Sequence, residues 1–495
     1  MNAAATPQKV IARGVGSSAL SFVIRFAARI SLLWIGGRLF GKELYGVYAF
    51  AVATVEVAVP IASLGLKRML FPWLEEEAQR RGAPHVLMDA LLLAGGAGVL
   101  TALAVMAISW SLPHAAISDQ QRLALIVLAP AVLCQITGDI ALAATRWTHK
   151  MRFEVTGRGL VEPYVGTLVT FAAWYAGLQE TGMLIGYWGG SLALAAYSLS
   201  AARRGLGPYR PLRWRPSRRA LASRIRQLLP ASGSDFVTAL AGRIDLFMVG
   251  LLLGDGAAGI YGIVRQLRTP IMQVRQAFDG ILTPLTARTM RADGDATAGE
   301  AMAAATRVIL SAQLAVVLLM VAAGDTLLSL FGAQYVVGYA TLLAMVATET
   351  VNGAFGVAEL IIYYRQPHRA LGVNLALILM AAALIPLAAP ELGTLGAALA
   401  MLVAATIAAL LRRYWLRGLG VRSAPLHAAP PVLAALAGGA VGLGAYEVLA
   451  RVIGAPLIVD KIAPPLLAIG TYAALIWLWR KLRPGALSLA RFRIS

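Results

Sequence analysis

The chain has 495 residues, of which 59% are hydrophobic and only 14% charged. A soluble domain carries about 45–50% apolar and about 25% charged residues, so this composition excludes a soluble globular fold and implies an integral membrane protein. The formal net charge of +20 could suit nucleic acid, but the basic residues fall between apolar runs, which points to orientation in a membrane and to no nucleic-acid partner.

Hydropathy and turn signals predict fourteen spans, at 16–40, 45–66, 86–110, 122–145, 158–178, 182–202, 229–253, 257–287, 301–323, 337–364, 368–389, 391–416, 430–453 and 462–480. The first run lacks a cleavage site and reads as a retained span. With the N-terminus in the cytoplasm, 32 of the 44 Lys and Arg fall on the cytoplasmic side and five on the other, placing both ends in the cytoplasm. The basic segment Arg203–Gln227 reads as a linker on anionic headgroups. The division is an N-lobe at 1–202, a basic linker at 203–228, a C-lobe at 229–416, and two further spans with a basic tail at 417–495. Cys134 stands alone, so no intramolecular disulfide forms.

The first span and the start of the second return about 214 residues later. Arg29-Ile30 matches Arg243-Ile244, and Gly36 matches Gly250. Leu39 and Gly41 answer Leu253 and Gly254, and Gly46-Val47-Tyr48 answers Gly259-Ile260-Tyr261. Such repeats mark transporters built from two lobes. Six spans per half give both halves the same orientation. The fold expected is therefore all-α, with two six-helix lobes related by a pseudo-twofold axis along the membrane normal, plus two C-terminal helices.

Seven arginines lie inside spans: Arg25, Arg29, Arg243, Arg265, Arg268, Arg275 and Arg307. An Arg at the bilayer centre costs about 2.5–3.5 kcal/mol on insertion scales, so such residues face water, acids or an anionic ligand. Arg307 is near a span end and can snorkel. The other six are expected to line a cationic cavity, because the guanidinium fork suits phosphate. The competing reading is internal neutralisation. Asp245 is two residues from Arg243, and Asp279 is four from Arg275. The intramembrane acids are Glu56, Asp139, Glu162, Asp235, Asp245, Asp279, Glu349 and Glu359. Glu349 and Glu359 are the expected ion-coupling residues, since no Arg is near them in sequence before Arg365. The five histidines show no metal-ligand spacing, and there is no phosphate-cradling glycine–lysine loop. No metal, cofactor or catalytic residue is expected.

The run LFGKELYGVYAFAVA (Leu39 to Ala53), the stretch ending in SLGL (Ser63 to Leu66) and LLSLFGAQY (Leu327 to Tyr335) resemble the bacterial polysaccharide transporter, or O-antigen flippase, family. The fourteen-span layout resembles the wider group holding peptidoglycan lipid flippases and multidrug and toxin extruders. The resemblance implies a non-enzymatic, monomeric transporter in the bacterial cytoplasmic membrane. It would flip an undecaprenyl-diphosphate oligosaccharide by alternating access, for O-antigen, capsule or exopolysaccharide synthesis. Membrane lipids and polysaccharide polymerase or export machinery would be its partners. The resemblance also implies basic residues in the central cavity, carried here onto Arg25, Arg29, Arg268 and Arg275. Two alternatives stand: a multidrug cation antiporter, disfavoured by arginines where it needs acids, and a membrane glycosyltransferase or polymerase, disfavoured by the lack of long extracytoplasmic loops.

Overall fold

The computed structural model describes residues 27, 30–114, 116–148, 150–207, 218–276, 294–419, 429–448 and 457–483. Among the described residues there is no β-strand, and six helices are long and apolar enough to cross a membrane by length and composition. The chain is a multi-pass, all-helical membrane protein. It divides into two compact units. The first holds Met1–Arg243 with Gly254–Gly259, and the second holds Ile244–Leu253 with Ile260–Ser495.

In the first unit, a π-helical turn at Gly36–Phe40 leads into α1 (Gly41–Ser63). Leu64 and Gly65 then adopt left-handed backbone, which breaks the helix before α2 (Leu66–Arg81). The charged stretch after the second expected span is thus helical. α3 (Ala83–Ser111) follows. Its last carbonyls lack helical partners, and Arg122 donates to those of Ser109, Trp110 and Leu112 at 2.8–3.0 Å. The fourth expected span is two helices, α4 (Asp119–Leu128) and α5 (Ala131–Trp147), bent by 42° near Pro130. α4 starts on a Ser118–Gln121 capping box, which fixes its first turn. A π-helical turn at Gly157–Val161 then opens α6 (Glu162–Tyr175), followed by α7 (Gly182–Leu206) and α8 (Arg218–Ala241).

In chain order α9 (Ile244–Leu267) comes next, broken at Gly254. The second unit continues with α10 (Gly294–Ser329), a 3-10 turn at Ala333–Gly338, α11 (Tyr339–Arg365) and α12 (Pro367–Gly418). α12 contains the two expected spans 368–389 and 391–416, and its backbone breaks at Gly393, with φ 59°, just inside the second. The last two helices, α13 (Ala429–Glu447) and α14 (Leu457–Leu482), dock on α10. Leu310, Leu314, Leu318, Ala434, Ala435 and Tyr472 form the shared core, and the Tyr472 hydroxyl donates to the Ser311 carbonyl at 2.6 Å.

The internal repeat has a structural counterpart. Gly41 has φ 83° and ψ 174°, and its sequence match Gly254 has φ 79° and ψ −175°. That backbone is open to glycine and strained for other residues. Five residues on, Gly46 and Gly259 pack reciprocally within the first unit. A Cβ on Gly46 would overlap the Asp255 carbonyl oxygen, and one on Gly259 would overlap the Lys42 carbonyl oxygen. Each glycine lets the other segment's backbone approach, as small residues do where membrane helices cross closely.

Candidate substrate site and its charge networks

Of the six expected cavity arginines, Arg25 and Arg29 lie outside the described residues. The other four fall into three settings. Arg243, just past α8, pairs with Glu56 on α1 in the first unit. Both side chains are partly open, at 26% and 43%.

Arg265 and Arg268 belong to a buried cluster in the second unit. Asp245, near the start of α9, pairs with Arg265 on the same element, and their side chains are 3% and 8% exposed. Asp245 also accepts from the Leu246 backbone and from the Tyr261 hydroxyl at 3.2 Å, and Arg268 is 4.0 Å away. Arg268 reaches Glu349 on α11 at 3.1 Å. Two carboxylates therefore face two guanidinium groups. Burial makes each charge costly alone, and mutual pairing removes most of that cost. Glu349 is 4% exposed, and its neighbour Arg268 is shared with Asp245. Glu359 differs: it is 41% exposed and 3.5 Å from Arg412 on α12. Each acid thus has an arginine neighbour that sequence distance does not show, because the pairing arginines come from other elements.

Arg275 stands in a third setting. The helix is interrupted at Arg268 and resumes from Thr269 through Pro270 to Gln276. Pro270 cannot donate a backbone hydrogen bond, so the ladder is broken at that turn. Beyond it, Arg275 has no ion-pair partner among the described residues, and its buried Nε finds no acceptor there. Two residues earlier, the buried Gln273 Oε1 also lacks a donor among the described residues. Asp279, the partner that spacing suggested for Arg275, lies outside the described residues.

A network that sequence reading missed occupies the first unit. Arg158, within the Gly157–Val161 π-turn, pairs with Asp139 and with Glu162 at 3.1 Å, and donates to Gln135 Oε1 at 2.8 Å. Gln135 Nε2 donates to Glu162 at 2.8 Å and to Ser191 Oγ at 3.0 Å. Lys67 on α2 pairs with Asp139 from the other side. The extra residue of a π-turn redirects the side chains near it, and such turns recur at functional positions. Lys67 and Arg158 lie at the ends of expected spans and outside the seven intramembrane arginines, which hides this cluster from a sequence reading. The spacing of Gln135 to Asp139 and Arg158 to Glu162, four residues each, was its available signal. Among the described residues, no group of His, Cys, Asp and Glu could hold a metal ion.

Comparison with known families is decisive for the class. Residues 36–362 match the family model described as "Polysaccharide biosynthesis protein". The chain belongs to this family. No significant match was found among curated protein sequences. Among solved structures, the chain is similar to a lipid II flippase, MurJ, in an inward closed conformation, with a TM-score of 0.70 and 12% identity, covering 94% of this chain and 100% of that one. It is also similar to an inward-facing multidrug resistance MATE family transporter of the MOP superfamily, with a TM-score of 0.59 and 14% identity, covering 81% and 99%. A third similar structure is the MATE multidrug transporter DinF-BH, at 0.53 and 17%, covering 84% and 96%. At these identities the likeness establishes the fold. This member of the polysaccharide biosynthesis family has the fold of a MOP-type membrane transporter, as the resemblance of its N-terminal motifs implied.

Proposed function

We propose that the protein flips a lipid-linked oligosaccharide, anchored by undecaprenyl diphosphate, from the cytoplasmic to the outer leaflet of a bacterial cytoplasmic membrane, for synthesis of O-antigen, capsule or exopolysaccharide. Family membership supports the polysaccharide context, and the fold supports transport. The observation that carries the choice of substrate is Arg275, an intramembrane cation with a buried Nε and no acceptor among the described residues. A diphosphate supplies the missing acceptor through charge-assisted hydrogen bonds. Gln273 Oε1 in turn can accept from a hydroxyl of the headgroup.

In this reading the arginines divide their work. Arg275 reads the anionic headgroup. Arg243, Arg265 and Arg268 are neutralised by Glu56, Asp245 and Glu349 and serve the lobe architecture or its coupling. Glu349 is the better coupling acid, since its protonation would leave Arg268 with Asp245 alone, whereas Glu359 pairs at a more exposed position. Transport proceeds by alternating access, and no covalent step is needed. The polymerase or export machinery of the same polysaccharide would act downstream.

The test is translocation in liposomes by Arg275→Ala and Arg275→Lys. Loss with Ala and partial retention with Lys, at normal membrane insertion, supports the assignment. Full activity of Arg275→Ala removes it.

A further inference from the structure

Three ion pairs tie α8 and the residues just after it to α1 and α2, all within the first unit. They are Glu56–Arg243, Arg68–Asp235 at 2.5 Å, and Glu77–Arg224. As the first members advance from 56 to 77, their partners recede from 243 to 224, the mark of antiparallel neighbours. At 1.5 Å per helical residue the ladder runs for roughly 30 Å. Between the rungs, the Ser232 hydroxyl lies 3.3 and 3.4 Å from the Pro60 and Ile61 carbonyl oxygens, and Arg224 sits 4.2 Å over the Trp73 ring.

Two features set this ladder apart from the buried cluster around Asp245. Its rungs are partly open, with side-chain exposures of 43% and 26%, 45% and 18%, and 19% and 20%. Partly exposed pairs of this kind lose less on parting than fully buried ones. The Asp245–Arg265 pair, at 3% and 8%, has no such exchange available. The backbone also carries bending points between the rungs. Pro60 and the left-handed Leu64–Gly65 break separate the first rung from the other two on the α1–α2 side, and Pro230 separates the last rung on the α8 side.

We infer that this ladder is a latch. Its two lower rungs, Arg68–Asp235 and Glu77–Arg224, part and re-form during the transport cycle by bending at Pro60–Gly65 and Pro230. The inference rests on the transporter reading and adds the moving part to it. The breakable rungs hold one conformation, and losing them shifts the population toward the parted one.

Phe71 on α2 and Leu229 on α8 are 41% and 55% exposed and belong to no rung, so they can carry spin labels as Phe71→Cys and Leu229→Cys. The single native cysteine is removed as Cys134→Ser. Pulsed electron paramagnetic resonance in lipid then reads the α2–α8 distance without any substrate. The expected result is a short distance joined by a longer population that grows when Glu77→Gln and Asp235→Asn are added. The same single short distance with and without those substitutions overturns the latch, whatever the transported substrate is. A short bismaleimide whose spacer contains a disulfide, joining the two cysteines, is expected to abolish translocation, and reduction of the spacer with dithiothreitol to restore it. Undiminished translocation by the cross-linked protein equally overturns the latch. Absence of lipid-linked oligosaccharide transport before cross-linking, with the two distances present, would leave the latch standing and refute the substrate instead.

Discussion

At the residue scale, the difference between a paired and an unpaired arginine separates architecture from function. Arg158 holds Asp139, Glu162 and Gln135 together. Removing it leaves Asp139 with Lys67 and Glu162 with Gln135, so each carboxylate loses one of its partners in a mostly buried setting. Arg158→Ala should therefore lower the thermal unfolding midpoint in detergent markedly, while Glu162→Gln, which leaves Asp139 on Arg158, should lower it less. Equal midpoints for all three proteins would contradict the network. Arg275 should behave in the opposite way. Its replacement by Ala strands no described carboxylate, so the midpoint should hold while translocation falls. The sequence shows which arginines lie deep. It does not show which are neutralised, because Glu56 meets Arg243 and Glu349 meets Arg268 only through folding, over nearly 200 and about 80 residues of chain.

At the element scale, the glycine crossing carries the repeat. Gly46 and Gly259 face the Asp255 and Lys42 carbonyl oxygens too closely for any side chain. Overpacking of this kind costs about 1–3 kcal/mol, so Gly46→Val and Gly259→Val should each destabilise the protein by that order, measured as lost monodispersity and a lower unfolding midpoint. Gly95→Ala, where a Cβ meets nothing within 4 Å, is the matched control and should be neutral. Wild-type behaviour of Gly46→Val would show that the crossing is looser than described. Much of this level was legible. Hydropathy located most of the apolar helices, and matching Gly41 to Gly254 and Gly46 to Gly259 paired the positions that turn out to share backbone geometry and contacts. The bends at Pro130 and Leu64–Gly65 and the helical form of Leu66–Arg81 were not legible. Backbone breaks and amphipathic helices leave little trace in a hydropathy average, since the first changes direction without changing composition and the second dilutes its apolar face with charge.

At the scale of the whole molecule, the chain belongs to the polysaccharide biosynthesis family and has an all-helical fold similar to those of membrane transporters. Similar folds serve a lipid II flippase and multidrug transporters, so fold alone does not choose between a lipid-linked anion and an organic cation. The proposed function rests that choice on intramembrane charge: a cation extruder needs uncompensated acids, whereas the group without a partner among the described candidates is Arg275. The measurement that tests this most directly is reconstitution of the purified protein into liposomes with a labelled undecaprenyl-diphosphate oligosaccharide, scoring its arrival on the opposite leaflet. Protein-dependent translocation that is lost in Arg275→Ala is the predicted result. No translocation of that lipid, together with gradient-driven movement of organic cations by the same liposomes, would contradict the flippase account and return the arginines to a structural role.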